Sequence, residues 1–229
     1  MLFRSYLTDT NWDLGFYHVR GHDKKPSFVL DYIAVPGSPQ PVPLDYRLKY
    51  FENIRGTALS FSTVLGHTNV QGELSFLDGT PMVDNNGDPG LEGFAKLQIG
   101  AAHVFGPSWL ADDTVVTAEV FYARVHGADS AELNADSRAW GYSLLSEFAY
   151  NNVLQGWDLK VPLYIKHDVS GTMQEIQQVG GSRVISLGAR ATYLNNLSLS
   201  FAYNWYQGGG RRYLLQDRDN VAFTVKYAF

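Results

Sequence analysis

Hydrophobic and polar side chains alternate along the carboxyl end of the chain. In residues 220–229, Val, Phe, Val, Tyr and Phe occupy every second position, and Ala, Thr, Lys and Ala lie between them. Successive side chains of a β-strand point to opposite faces, so this pattern predicts a strand with one apolar face and one small or polar face. Such a strand suits a wall between lipid and water. The competing interpretation is an edge strand of a soluble β-sandwich.

The same alternation recurs upstream and predicts an all-β fold. It is regular in 157–167, 184–193 and 197–205 and less regular in four earlier segments, while no segment approaches the ~20 consecutive apolar residues of a membrane-spanning helix. We therefore predict an antiparallel transmembrane β-barrel with about ten strands in this chain. The predicted strands cover 12–20, 55–65, 69–76, 94–104, 114–125, 139–150, 157–167, 184–193, 197–205 and 220–229.

The predicted connections alternate between short and long. Outer-membrane barrels have short periplasmic turns and longer external loops, so the carboxyl terminus is expected on the periplasmic side. Tryptophans agree with this topology, because each falls near one of the two expected interfaces rather than at mid-strand. Trp12, Trp109 and Trp157 are expected at the periplasmic interface and Trp140 and Trp205 at the extracellular one.

Two segments depart from the regular pattern. Residues 21–54 contain five prolines and are expected to form a long extracellular loop that folds back into the mouth, with 45–54 forming a short helix or a strand extension. Pro162 lies inside a predicted strand, and because proline cannot donate a ladder hydrogen bond, a bulge is expected there.

The amino end bears on domain organisation. Residues 1–7 resemble the end of a preceding strand, and no signal peptide follows Met1. Residues 1–229 are therefore expected to be either a single barrel domain or, as we favour, the carboxy-terminal part of a larger barrel.

Several segments resemble a known family. They are WDLGFYHVRGHDKKP at 12–26, YFENIRGTALSFSTVLG at 50–66, VQGELSF at 70–76, WDLKVP at 157–162 with Gly171 after it, and DRDNVAFTVKYAF at 217–229. They are similar to a proteobacterial outer-membrane family catalogued as a domain of unknown function, whose members are commonly much longer. The resemblance implies export or uptake of hydrophobic compounds alongside inner-membrane efflux-type transporters.

The charged side chains on the face opposite the apolar one are the candidate site. Both signs are present, as in a solvated or plugged interior, where such charges set solute selectivity or hold an inserted loop. The alternative is that they pair across neighbouring strands and stabilise the wall. The candidate lumen-lining residues are Glu73, Lys96, Glu119, Glu147, Lys160, Lys166, Arg190 and Lys226.

The last residues also resemble the signal by which outer-membrane barrels are recognised for insertion. We assign that role to Tyr227 and Phe229.

Candidate chemistry is sparse, and we predict no catalytic residues, metal site, cofactor or enzymatic activity. His167, Asp168 and Ser170 have the residue types of a catalytic triad, but neighbours on a strand point to opposite faces. Residues 84–90 indicate a turn more than a calcium loop. Residues 208–212, GGGRR, suit either an anion or a flexible loop tip.

Charge and location complete the prediction. A net charge of −5 without a dense basic cluster argues against nucleic acid, and the absence of cysteine suits export without a disulfide framework. We predict a channel or transport component of the bacterial outer membrane for small or hydrophobic solutes. Expected partners are membrane lipid and lipopolysaccharide, the barrel-assembly machinery, and periplasmic and inner-membrane transport proteins. An outer-membrane enzyme or a structural or adhesive barrel remains the alternative.

Overall fold

The structure, a computed structural model, describes residues 2–7 and 11–228. Its regular elements are almost all strands, joined by turns and loops, with one 3-10 turn at Gly210–Arg212. Within these residues, no helix has the length and apolar content needed to cross a membrane. The strands are β1 (Leu2–Leu7), β2 (Trp12–Gly21), β3 (Ser27–Ile33), β4 (Val42–Lys49), β5 (Ile54–Leu65), β6 (Thr68–Val83), β7 (Pro89–Val104), β8 (Asp113–His126), β9 (Arg138–Leu154), β10 (Trp157–Ser170), β11 (Arg183–Tyr193), β12 (Leu197–Gln207) and β13 (Asn220–Tyr227).

Eleven strands form one antiparallel sheet in which sequence neighbours pair, apart from the insertion of β3 and β4 between β2 and β5. All ten predicted strands are present, and the all-β, antiparallel prediction is confirmed. The strand expected at the amino end is also confirmed as β1. Over the described residues the sheet is open, because β1 and β13 each pair on one side only. Closure of the sheet into a barrel stays a prediction.

Strand register separates the sheet into two unlike faces. Opposed residues of antiparallel strands lie on the same face, and Leu199 opposes Val225 while Ser198 opposes Lys226. The same division continues across β11, where Arg190 opposes Ser200. The apolar side chains therefore collect on one face, called here the apolar face, and the polar ones on the other, the polar face.

The apolar face is largely uncovered by the rest of the chain. Leu187 is 46%, Phe201 48% and Phe223 67% exposed on the neighbouring strands β11 to β13, and Ile99 is 41% exposed on the more distant β7. Contiguous apolar exposure on this scale marks a surface that contacts lipid or another apolar partner.

Aromatic residues gather at both ends of the apolar face. At the end with the short turns, Trp12 lies near Phe61 and Trp157 near Tyr193, with ring centroids 5.6 and 5.1 Å apart. At the end with the long loops, the rings of Tyr203 and Trp205 lie 4.3 Å apart. Trp140 lies near the start of β9 at this same end. The predicted separation of tryptophans between the two ends of the strands is confirmed.

The segment 21–54 forms a hairpin. Strands β3 and β4 pair through Phe28 with Leu48 and Leu30 with Tyr46, and most of their side chains are exposed. The strand interpretation of 45–54 is confirmed for Asp45–Lys49, and the helix interpretation is wrong.

The loops after β8 and β10, not this hairpin, cover the polar face at the long-loop end. Leu133 and Met173 from these loops pack with Phe94 and Val125 of the sheet in a small apolar cluster. No residue of 21–54 belongs to this cluster as the structure describes it. The expectation that 21–54 folds back into the mouth of a barrel stays a prediction.

The bulge expected at Pro162 is absent. Lys160 opposes Arg190 and Leu163 opposes Leu187, so the register with β11 continues past the proline without an extra residue. The register with β9 also continues. The ring is accommodated because Gly188 lies opposite, where a Cβ would approach Pro162 Cγ to 3.2 Å.

Gly171 provides a test of how tightly the loop after β10 meets the sheet. Its φ is +84°, and a Cβ there would lie 2.6 Å from Ala139 Cα and also meet Arg138 O. Gly37 has a similar φ of +88° and no atom within 4 Å of its virtual Cβ. Gly37→Ala should cost about 1–2 kcal/mol of unfolding free energy through φ alone.

Gly171→Ala should cost about 1–3 kcal/mol more than Gly37→Ala because the methyl group also overpacks the site. Urea unfolding followed by tryptophan fluorescence measures both variants. Equal costs would show that the close approach of the loop to β9 is wrong.

Candidate functional site on the polar face

All eight predicted lumen-lining residues lie on the polar face. The assignment follows from register: Glu73 opposes Gln98, Glu119 opposes Ser143, and Lys166 also opposes Ser143. Lys160 opposes Arg190 in the neighbouring pair of strands. The face therefore carries both signs of charge, as the alternation predicted.

A polar groove of about 430 Å³ crosses this face between β1 and β8. At one side the Arg4 guanidinium pairs with Asp13, with Nε 3.0 Å from Oδ1. Gly15 next to this pair has no side chain, and a Cβ there would meet Ser60 Oγ at 2.5 Å and the ring of Tyr17 at 2.8 Å. Glycine at this position thus lets Tyr17 lie across the floor of the groove.

The other side of the groove is formed by β7 and β8. Gln98 Nε2 donates to Glu119 Oε2 at 2.7 Å, which holds the carboxylate against the sheet. Lys96 lies two positions along β7, with Nζ 5.9 Å from the centroid of the Phe121 ring. Cation–π contacts of this kind hold a lysine over an apolar surface without neutralising it.

The predicted charges divide into paired and unpaired groups. Lys160 Nζ lies 2.7 Å from Glu147 Oε1, so this pair follows the wall-stabilising alternative. Glu73, Arg190 and Lys226 form no ion pair within the part of the chain that the structure describes. These three charges are available to ions or solutes on the polar face.

Asp168 is a buried anchor for the loop after β10. It is 3% exposed, and its Oδ1 lies 3.2 Å from Lys166 Nζ. Oδ2 accepts a hydrogen bond from Ser182 Oγ at 3.0 Å and a longer one from Val179 N at 3.4 Å. The far end of the loop is thereby tied back to the end of β10.

A register shift between His167 and Ser170 accompanies this anchor. His167 lies on the apolar face, where its ring meets Tyr142 edge-on at 5.5 Å, and Arg183 Nε donates to its Nε2 at 3.3 Å. His167 and Asp168 thus face opposite sides, and they do not form a catalytic triad with Ser170.

Residues 84–88 form the predicted turn. The Asp84 carboxylate accepts hydrogen bonds from the backbone N–H groups of Asn86 and Asp88, both at 2.8 Å. These bonds, that from Asp88 above all, lower the pKa of Asp84. In residues 2–7 and 11–228, no cluster of three or more His, Cys, Asp or Glu side chains is arranged to hold a metal.

The proposed insertion signal is described in part. Tyr227 ends β13 on the apolar face and is 64% exposed. Phe229 lies outside the described residues.

Sequence reasoning missed the Arg4–Asp13 pair and the anchoring role of Asp168. The first depends on pairing between β1 and β2, which periodicity does not specify. The second had a usable signal, because Asp168 lies two positions after Lys166 and therefore on the same side of the strand.

Two carboxylates that pair with lysine on the same face provide a matched test of the loop anchor. Asp168→Asn should lower the unfolding free energy by about 1.5–3 kcal/mol, because it weakens buried hydrogen bonds to a charged group. Glu147→Gln alters a more exposed pair and should cost about 0–1 kcal/mol.

Limited proteolysis with mass spectrometry should then find new cleavage within 171–182 only in the Asp168 variant. Equal protection of this loop in both variants would contradict the anchoring role.

The comparisons with known proteins bear on the family. A family model described as "Protein of unknown function (DUF1302)" matches residues 2–229. Neither the search of curated proteins nor that of solved structures returned a match. The resemblance seen in the sequence is thus confirmed as to family, and the chain belongs to the DUF1302 family.

Proposed function

We propose that this chain forms part of the wall of a transmembrane β-barrel in the bacterial outer membrane, and that the barrel conducts small or hydrophobic solutes. The observation that carries the proposal is the division of one sheet into an exposed apolar face and a polar face with charges of both signs. A wall between hydrocarbon and water needs both faces.

Strand length supports a membrane-spanning role. Among the eight strands β5 to β12, the shortest are β11 and β12, with 11 residues each. At about 3.3 Å per residue, a strand of this length extends roughly 36 Å. A tilt near 45° leaves about 25 Å along the membrane normal, which is the height of the apolar band in such barrels.

The aromatic residues at both ends of the apolar face support the same placement. Trp and Tyr favour the interface between hydrocarbon and headgroups because their rings are apolar and their N–H or O–H groups are polar. Trp157 with Tyr193 would mark the periplasmic interface and Tyr203 with Trp205 the external one.

The polar face supports a conduit more than a structural wall. Arg190 and Lys226 carry charge without an ion-pair partner among the described residues. Interior charges of this kind tune the selectivity of a pore. The family resemblance adds lipopolysaccharide, the barrel-assembly machinery, and periplasmic and inner-membrane transport proteins as proposed partners.

Adjacent substitutions in β12 test the placement of lipid. Phe201→Arg puts a charge on the apolar face and should destabilise the protein by about 2–4 kcal/mol in phosphatidylcholine vesicles if this position lies near the bilayer midplane. Ser200→Arg puts the same charge on the polar face and should cost much less. Urea titration of the vesicle-bound full chain measures both, and equal costs would refute the lipid-facing assignment.

Charge reversal on the polar face tests conduction. In planar bilayers, Arg190→Glu and Lys226→Glu should shift ion selectivity toward cations, because each replaces a positive charge beside the pathway with a negative one. Arg124→Glu reverses a charge on the opposite face of β8 and should leave the reversal potential unchanged. If the reversal potential is unchanged by Arg190→Glu and Lys226→Glu, the polar face has a structural role and not one in conduction.

A further inference from the structure

A second cavity lies at the long-loop end, away from the polar groove. It has a volume of about 620 Å³ and opens between the loops that follow β10 and β12. Small-molecule sites commonly have volumes of about 300–1,000 Å³. The cavity is therefore large enough for a small organic ligand.

Glycines allow these two loops to pack closely. Gly208 and Gly209 have φ of +72° and +71°, and Gly208 lies against the carbonyl oxygen of Gly181. A Cβ on Gly209 would lie 2.7 Å from Tyr213 Cβ and 3.1 Å from Ser182 Cβ. Gly208 and Gly209 thus pack the start of the loop after β12 against the end of the loop after β10, next to the cavity.

The rim of the cavity is positively charged. The 3-10 turn ends with Arg211 and Arg212, and both line the cavity. Among the described residues, no Asp or Glu side chain lines the cavity. Glu175 and Asp217 lie on the same two loops but outside it. Neither guanidinium forms an ion pair within the described chain. In a chain of net charge −5, this local excess of positive charge favours an anion.

The rest of the cavity combines exposed apolar side chains with polar ones, among them Gln174 and Gln177. Leu214 and Leu215 follow the arginines and are 77% and 44% exposed, while Met173 lies fully buried beneath the cavity and presents no surface to it. Beside Met173, Gln178 is 2% exposed and donates through Nε2 to Trp140 O and Ser170 O, but its Oε1 has no partner. Gln178 is thus buried with Met173 beneath the cavity, and its side chain holds the loop against β9 and β10 rather than a ligand.

We propose that this cavity binds a single-chain anionic amphiphile, with its carboxylate on Arg211 and Arg212 and its apolar chain on Leu214 and Leu215. Arginine suits a carboxylate because its N–H donors match the two oxygens. The two exposed leucines supply apolar area that the chain of the ligand would bury. The inference deepens the proposed function by giving the class of solute, and for that role it rests on the conduit proposal.

Binding is tested with octanoate on the full chain in phosphatidylcholine nanodiscs, followed by isothermal titration calorimetry with empty nanodiscs subtracted. Acetate has the charge without the chain, and octanol has the chain without the charge. Octanoate should bind at least tenfold more tightly than either, and its affinity should fall as salt is raised.

Substitutions then locate the site. Arg211→Gln with Arg212→Gln should weaken octanoate at least tenfold, while Arg211→Lys with Arg212→Lys should retain much of the binding. Arg218→Gln, on the same loop but outside the cavity, serves as the matched control and should change nothing. Leu214→Ser should weaken octanoate without changing acetate.

Three outcomes would overturn the inference. Octanoate binding that survives the double Gln substitution would place the ligand elsewhere. Acetate binding as tightly as octanoate would indicate a simple anion site. Binding of dihexanoyl phosphatidylglycerol but not octanoate would indicate a phospholipid headgroup site. Because binding is measured without ion flow, failure of conduction with intact octanoate binding would refute the conduit alone, and the reverse result would refute this site alone.

Discussion

The backbone hydrogen-bond ladder between sequence-adjacent antiparallel strands is the constraint on which the rest of the structure depends. It satisfies the N–H and C=O groups of every inner strand through its neighbours, so side chains need not serve that purpose. Because the ladder also fixes which residues oppose each other, it carries the alternation of one strand across the whole sheet. Leu199 and Val225 fall on one face and Ser198 and Lys226 on the other for this reason alone.

The polar face combines two kinds of electrostatic environment. Asp168 is buried and ties a loop to the sheet, so its charge has a structural use and depends on Lys166 and Ser182. Arg190 and Lys226 are positioned by strand pairing alone, and among the described residues no ion pair neutralises their charge. A face that combines structural charges at one end with unpaired charges along its length is suited to both holding a loop and attracting an ion.

The long-loop end shows how loops acquire function on such a scaffold. Apolar residues from the loops after β8 and β10 cover part of the polar face, with Leu133 and Met173 at the centre. This packing gives the loop after β12 a firm surface, and the close approach of Gly208 to Gly181 completes it. The arginines that follow are thus presented from a defined turn rather than from a mobile tip.

The sequence by itself determined the strands of the main sheet, their order and the side to which each residue points, because a period of two is a local property of extended backbone. It did not predict the β3–β4 hairpin, which lay in a segment expected to be a long loop. It also indicated the eight charges on the polar face, including Glu73 and Arg190, and the family. Only the tertiary structure decided which charges pair, how β1 joins β2 through Arg4 and Asp13, and that Pro162 needs no bulge because Gly188 lies opposite. It also decided that the loops after β8 and β10 cover the polar face at the long-loop end. These features depend on residues distant in sequence meeting in space, and periodicity along the chain carries no information about such meetings.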